Sequence, residues 1–101
     1  MVFSRDEEKY RRGLKYEVLD ECITIEIAWH NARLDKAGDD SEQGRKHFAA
    51  IKALVNLSES LHVDDESIER GWLVLNEMKA KRTAGDIAAI AGCVIVEPAV
   101  A

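Results

Sequence analysis

The sequence has few of the residues that interrupt helices. It contains one proline and six glycines in 101 residues, and neither type occurs from Leu14 to Ala37. Strands in globular proteins run only about 3–10 residues, so an uninterrupted stretch of this length predicts a helix. The alternation of Ile23, Ile25 and Ile27 with polar residues would suit a strand, but the length of the stretch outweighs it.

Long apolar runs and a secretory leader are also missing. No segment approaches the roughly 20 consecutive apolar residues that a membrane span requires. The first twelve residues lack the apolar core of a signal peptide. The two cysteines, Cys22 and Cys93, fit a reducing compartment, with a disulfide between them as the less favoured alternative. We therefore expect a soluble, cytoplasmic protein with no membrane partner.

The chain also lacks an excess of basic residues. Its 14 lysines and arginines are outnumbered by 19 acidic residues, which gives a net charge of −5. This balance disfavours nucleic acid and acidic membranes as partners. Basic and aromatic residues do alternate from Lys9 to Tyr16, which keeps a nucleic-acid-associated regulator as an alternative. The acidic neighbours of that segment favour an exposed helix with ion pairs along its surface.

Catalytic and metal-binding patterns are weak. The serines follow no strand-to-helix turn, and the glycines form no phosphate-binding loop. Glu26 with His30 and Glu59 with His62 have the helical spacing of ligands in ferritin-like di-iron bundles. Those sites need two further glutamates facing a core, whereas Glu59 projects from the polar side of its helix. We predict no enzyme activity, no cofactor and no metal, and keep a ferritin-like metal-binding protein as an alternative.

The boundary signals predict four helices in residues 1–101, which we expect to form a single domain. Helix starts are predicted from capping residues at Ser4, Asp40, Asp64 and Thr83. Gly38 is expected just after the central helix. The last nine residues, from Cys93, are apolar and β-branched and should be extended. The predicted fold is all-α: an antiparallel three-helix bundle with a short fourth helix and an extended C-terminal tail.

The central helix carries two apolar stripes on roughly opposite sides. The first stripe contains Leu14, Val18, Cys22, Ile25, Trp29 and Ala32. The second stripe contains the residues that we predict to form a partner or dimer interface: Tyr16, Leu19, Ile23, Ile27, His30 and Leu34. Because a helix on a monomer surface needs only one apolar stripe, two stripes indicate a helix covered on both sides. The alternative is that the fourth helix and the tail cover the second stripe within one chain.

These observations favour a non-catalytic protein that acts by protein–protein contact. We expect a homodimer, since pairing of identical surfaces is the commonest way to cover an apolar helix face. The small size and acidic charge are typical of regulators, adaptors and inhibitors of larger complexes, many of them encoded by phages or mobile elements. His30, on the second stripe, would make such an association sensitive to pH.

Overall fold

The computed structural model describes the backbone of residues 5–93 and the side chains of Glu7 and of residues 9–93. It contains three α-helices and one 3₁₀ helix: α1 (Arg5–Ala37), α2 (Glu42–Ser60), α3 (Asp65–Thr83) and the 3₁₀ helix (Ile87–Gly92). Within the described residues there is no strand. The predicted all-α bundle of three long helices and a short fourth is confirmed. The predicted cap at Ser4 and the tail beyond Cys93 lie outside the described residues.

Helix α1 is much longer than the helices it packs against. It runs without a break through Gly13 and contains 33 residues, whereas α2 and α3 contain 19 each. At about 1.5 Å per residue, α1 is about 50 Å long and the other two are about 29 Å. None of the described side chains before Leu19 is buried. The N-terminal turns of α1 therefore contribute little to the core, and Tyr16 is the first described apolar side chain that packs against it.

Small residues define the ends of the helices. Gly38 follows α1 with a φ of +86°, which favours glycine. Ser41, one residue after the predicted cap Asp40, caps α2, and its Oγ accepts a hydrogen bond from the Gly44 N–H at 2.9 Å. A Cβ on Gly44 would overlap the Gly38 carbonyl oxygen. The loop between α1 and α2 is therefore closed by direct backbone contact.

The third helix begins as predicted and ends later than predicted. The Asp64 carboxylate caps α3 by accepting a hydrogen bond from the Ser67 N–H at 2.8 Å. Thr83 does not cap the fourth helix, because it is the last residue of α3 and its hydroxyl donates back to the Lys79 carbonyl at 2.9 Å. A glycine turn at Gly85, with a φ of +79°, separates α3 from the 3₁₀ helix.

The core forms where α1 crosses α2 and α3. Helix α1 packs mainly along α2 and less extensively on α3, while the 3₁₀ helix packs on α2 and α3. A Cβ on Gly71 of α3 would lie 2.6 Å from Leu61 Cδ2 and 2.7 Å from Leu19 Cδ2. Gly71 therefore permits the close approach of α3 to α1. The largest fully buried aliphatic and methionine side chains are Leu19, Ile23, Leu54, Leu75, Met78 and Ile90.

Candidate functional site

The residues predicted to form a partner interface lie inside this chain. Leu19 and Ile23 have no exposed surface, and His30 and Leu34 are also buried. Tyr16 and Ile27 are half-buried and pack against the same core. Helices α2 and α3 of the same chain cover this stripe, so it cannot also hold a partner while the fold is intact. This corrects the interface prediction and favours the intrachain alternative, with α2 and α3 as the cover in place of the short fourth helix.

Most of the first apolar stripe of α1 faces solvent, whereas its members Cys22 and Trp29 are half-buried. Its exposed side chains, together with an aromatic residue one turn earlier, form a line that we call the exposed stripe: Tyr10 (68% exposed), Leu14 (44%), Val18 (52%) and Ile25 (60%). Successive members are four, four and seven residues apart, or about one, one and two helical turns, so they project from one side of the helix. The exposed stripe spans both the extended N-terminal turns and the part of α1 that crosses the core.

Helix α3 adds apolar surface beside the exposed stripe. Trp72 is half-buried, and Leu14, Val18 and Trp72 line a groove between α1 and α3. Leu73, the next residue on α3, is 65% exposed. The apolar area is thus continuous from one helix to the other. Contiguous patches of this kind mark binding surfaces more often than scattered apolar side chains do.

A charged pair with a buried carboxylate joins α1 to α3. The Arg82 guanidinium of α3 donates to both carboxylate oxygens of Glu26, with Nε–Oε2 and Nη2–Oε1 distances of 3.0 and 2.9 Å. Glu26 is almost fully buried, and a bidentate pair supplies both its charge balance and its hydrogen bonds. Arg82 also stacks on the Trp29 ring at 4.4 Å, and Arg33 lies 3.4 Å from the centre of that ring.

Two histidines meet beside this pair. His30 Nδ1 of α1 lies 3.0 Å from His47 Nδ1 of α2, and both residues are buried. One ring must donate and the other accept, so the hydrogen bond requires different tautomers. Burial, with a contribution from neighbouring His47, lowers the pKa of His30 to about 4. Burial, assisted by Arg33, also lowers the pKa of His47. Both imidazoles are therefore neutral at pH 7.

The polar side chains of this buried cluster bind one another, His30 with His47 and Glu26 with Arg82. Within the described residues, no group of three or more histidine, cysteine, aspartate or glutamate side chains is arranged to hold a metal ion. Glu26 binds Arg82, and Glu59 and His62 are exposed at the other end of α2. Cys22 and Cys93 are free thiols. Burial and the nearby Glu77 raise the pKa of Cys93, which makes its thiol a poor nucleophile at neutral pH.

The sequence could not reveal how these buried polar residues pair. Glu26 and Arg82 are 56 residues apart, and His30 and His47 are 17 residues apart. The one usable signal is that Glu26 and His30 share the helical side of Leu19 and Ile23, which indicates polar groups at a core boundary.

A further cavity of about 430 Å³, lined by Leu34, Asp39, Arg45 and Phe48, lies near the loop between α1 and α2.

Comparison with known proteins leaves the geometry as the only guide to function. No protein-family model matches the chain, and no curated protein or solved structure matches it either. Among the helices within residues 5–93, none has the length and apolar character needed to cross a membrane. The exposed stripe and the adjoining surface of α3 are therefore the candidate functional site.

Proposed function

We propose that this protein acts by protein–protein contact without catalysis, and that its first partner is a second copy of itself. The observation that carries the proposal is the exposed stripe of α1, together with Trp72 and Leu73 on α3. The proposed interface is therefore the exposed stripe, in place of the second stripe that the sequence predicted. Each large apolar side chain that becomes fully buried contributes roughly 1.5–3 kcal/mol before the costs of association.

The length of α1 supports an interface on its N-terminal turns. The segment before Leu19 has no buried side chain among those described, and it includes Gly13. Isolated helices of about 12–15 residues are marginal in water, and helices in proteins gain most of their stability from packing of an apolar face. Tyr10 and Leu14 belong to this segment and are exposed. A partner that covers them would stabilise the helix as well as bury apolar surface.

The charges beside the stripe favour a second copy over a polyanion or a strongly basic partner. Exposed residues of both signs border it, among them Arg11, Lys15, Glu17 and Glu21. A two-fold interface uses the same patch twice, so each patch must supply both halves of every charge pair. This patch meets that requirement. Nucleic acid would instead need a surplus of positive charge.

Light scattering across a dilution series tests the proposal. We expect a dimer for the natural sequence and a monomer for the double variant Val18→Glu/Ile25→Glu, with unchanged helical circular dichroism for both. Phe48→Glu is the matched control, because Phe48 is also an exposed apolar residue but lies on α2. That control should remain dimeric. A natural protein that is monomeric throughout, or a double variant that still dimerises, contradicts the proposal.

We further propose that the dimer is a cytoplasmic regulator, adaptor or inhibitor of a larger complex. The acidic net charge and the small size support this class. The buried polar cluster supports a non-catalytic role, since Glu26 and His30 both have partners inside the protein. Incubation with chromogenic ester, phosphate and glycoside substrates should give no turnover above that of a heat-denatured sample.

A further inference from the structure

Six exposed positions of α1 have the spacing of a two-stranded helical seam. We call this set the seam: Glu7, Arg11, Leu14, Val18, Glu21 and Ile25. Successive members are separated alternately by four and three residues, which is the repeat that keeps one line of side chains facing a partner helix. The seam contains three of the four residues of the exposed stripe. It also contains charges that a simple apolar stripe would not require.

The seam is symmetric in position about residue 16, and one of its symmetric pairs, Arg11 and Glu21, is opposite in charge. Leu14 and Val18 lie two residues on either side of this centre, and Arg11 and Glu21 lie five residues on either side. When two such helices run antiparallel with a two-fold axis beside residue 16, Leu14 faces the partner's Val18. The same operation places Arg11 opposite the partner's Glu21. Each contact occurs twice, so both copies of Arg11 and Glu21 are paired, while Glu7 faces the partner's Ile25.

A parallel arrangement gives the opposite result. In a parallel pair with a two-fold axis along the helices, each residue faces its own copy. Arg11 would lie against the partner's Arg11, and Glu21 against the partner's Glu21. Like charges placed together at an interface are destabilising, and they discriminate against that alignment. The order of charges along the seam therefore selects the antiparallel direction.

The different lengths of the helices agree with this arrangement. Antiparallel pairing about residue 16 brings the N-terminal turns of one copy alongside residues 17–27 of the other, where α1 is supported from behind by the core. Leu14 and Val18 also line the groove that contains Trp72, so the paired helices would meet next to that ring. We propose that α1 pairs in the antiparallel direction with α1 of a second copy. The two-fold axis passes between the two seams at the level of residue 16. This register rests on the self-association proposed above.

Cysteine cross-linking tests the direction of pairing. In a Cys22→Ala background, Glu7→Cys and Ile25→Cys are prepared as separate single variants and mixed under mild oxidation. Antiparallel pairing about residue 16 places position 7 beside position 25 of the partner. Two copies of position 25 would be about 27 Å apart, at about 1.5 Å per residue. We expect cross-linked dimers from the mixture and almost none from either variant alone. Cross-linking of each variant alone, without a mixed product, overturns the register.

Charge exchange tests the pairing of Arg11 with the partner's Glu21. Both side chains are exposed in the single chain, so their replacement should leave the fold intact. Glu21→Arg and Arg11→Glu should each raise the dimer dissociation constant about tenfold or more, because like charges then meet twice. The double variant Arg11→Glu/Glu21→Arg should return it to within about threefold of the natural value. Failure of the double variant to recover affinity overturns the pairing.

The two proposals fail in different ways. A natural protein that scatters as a monomer at every concentration ends both of them. A dimer that is disrupted by Val18→Glu/Ile25→Glu but cross-links only between identical positions retains the exposed stripe as the interface and rejects the antiparallel register. The scattering result therefore reports on self-association, and the cross-linking result reports on direction.

Discussion

The two faces of α1 are alike in composition and opposite in environment. Leu19 and Ile23 are completely buried, whereas Leu14 and Ile25 are about half exposed. Each face offers aliphatic side chains at helical spacing, so periodicity identifies two apolar faces without indicating which one belongs to the core. The difference is imposed by the helices that pack against α1. An apolar helix face thus becomes a core or an interface according to its tertiary surroundings.

Residues on the packing helices decide which face becomes the core. Gly71 allows α3 to approach Leu19 closely, and Ala50 and Ala53 are buried on α2. The buried face also receives the polar contacts that cross between helices, including the Ser58 hydroxyl, which donates to Asp20 Oδ1 at 2.9 Å. These residues have no counterpart over the exposed stripe in the described part of the chain.

The largest difference in stability is expected when a matched isoleucine on each face is replaced by alanine. Ile23→Ala should lower the free energy of unfolding by about 4 kcal/mol, because it removes a fully buried side chain and leaves a cavity. Ile25→Ala, its control on the exposed face, should change that free energy by no more than about 0.5 kcal/mol in the monomer. Urea unfolding of both variants, carried out at concentrations where the protein is monomeric, measures the two values. Equal losses would contradict the assignment of the faces.

Disruption of the Glu26–Arg82 ion pair should cause the next largest loss of stability. Arg82→Met leaves the Glu26 carboxylate buried without its partner and should cost about 3 kcal/mol of stability. The double variant Glu26→Leu/Arg82→Met should recover much of that loss, since no unpaired charge remains. Glu21→Gln supplies the exposed-face control and should be nearly neutral at concentrations where the protein is monomeric. Chemical unfolding of the natural protein and the three variants measures the free energy of unfolding of each. An unchanged value for Arg82→Met would show that the buried Glu26 carboxylate does not require Arg82.

Acid should lower the stability of the folded protein through the two buried histidines, His30 and His47. Since the folded state holds the pKa of His30 near 4, against 6.5 in the unfolded chain, the unfolded chain binds more protons between these values. The contribution to stability is therefore complete above pH 6.5 and is lost as the pH falls towards 4. The lowered pKa of His47 acts in the same direction. For His30 alone the loss reaches about 3 kcal/mol.

The pH dependence has a matched control in a double variant. His30→Leu/His47→Leu replaces both imidazoles with apolar side chains of similar size, so no buried nitrogen is left without a partner. Its stability should decline less steeply than that of the natural protein between pH 6.5 and 4, with the carboxylate contribution common to both. Phe48→Leu, which alters an exposed apolar side chain and no ionisable group, should retain the natural slope. Identical slopes for all three proteins would remove the histidine pair as the cause.

The smallest expected effects come from two glycines in helices. Gly71→Ala should destabilise the protein by about 1 kcal/mol, because the added methyl group meets the buried Leu19 and Leu61 side chains and this outweighs the gain in helix propensity. Gly13→Ala meets nothing within 4 Å and should stabilise the protein by about 0.5–1 kcal/mol. Thermal unfolding measures both, and shifts of the same sign would contradict this account of α3 packing.

The sequence predicted the helices better than it predicted their contacts. The Asp64 cap, Gly38 after α1 and the two stripes are local signals, and the structure bears out each of them. The cap of α2 is Ser41, one residue after the predicted Asp40, because neighbouring polar residues compete for one capping position. The assignment of the second stripe to a partner was wrong, because it depends on contacts far apart in the chain. The Glu26–Arg82 and His30–His47 pairs escaped prediction for the same reason.

The contact between Gly44 and the Gly38 carbonyl has a consequence for variation at this loop. A side chain at position 44 cannot be accommodated by a rotamer change, since the obstacle is backbone. In a library that samples all twenty amino acids at each position, position 44 should therefore accept glycine alone. Neighbouring Gln43 and Arg45, both exposed, should accept most alternatives. A single intolerant position between two permissive ones would be the genetic signature of this closed turn.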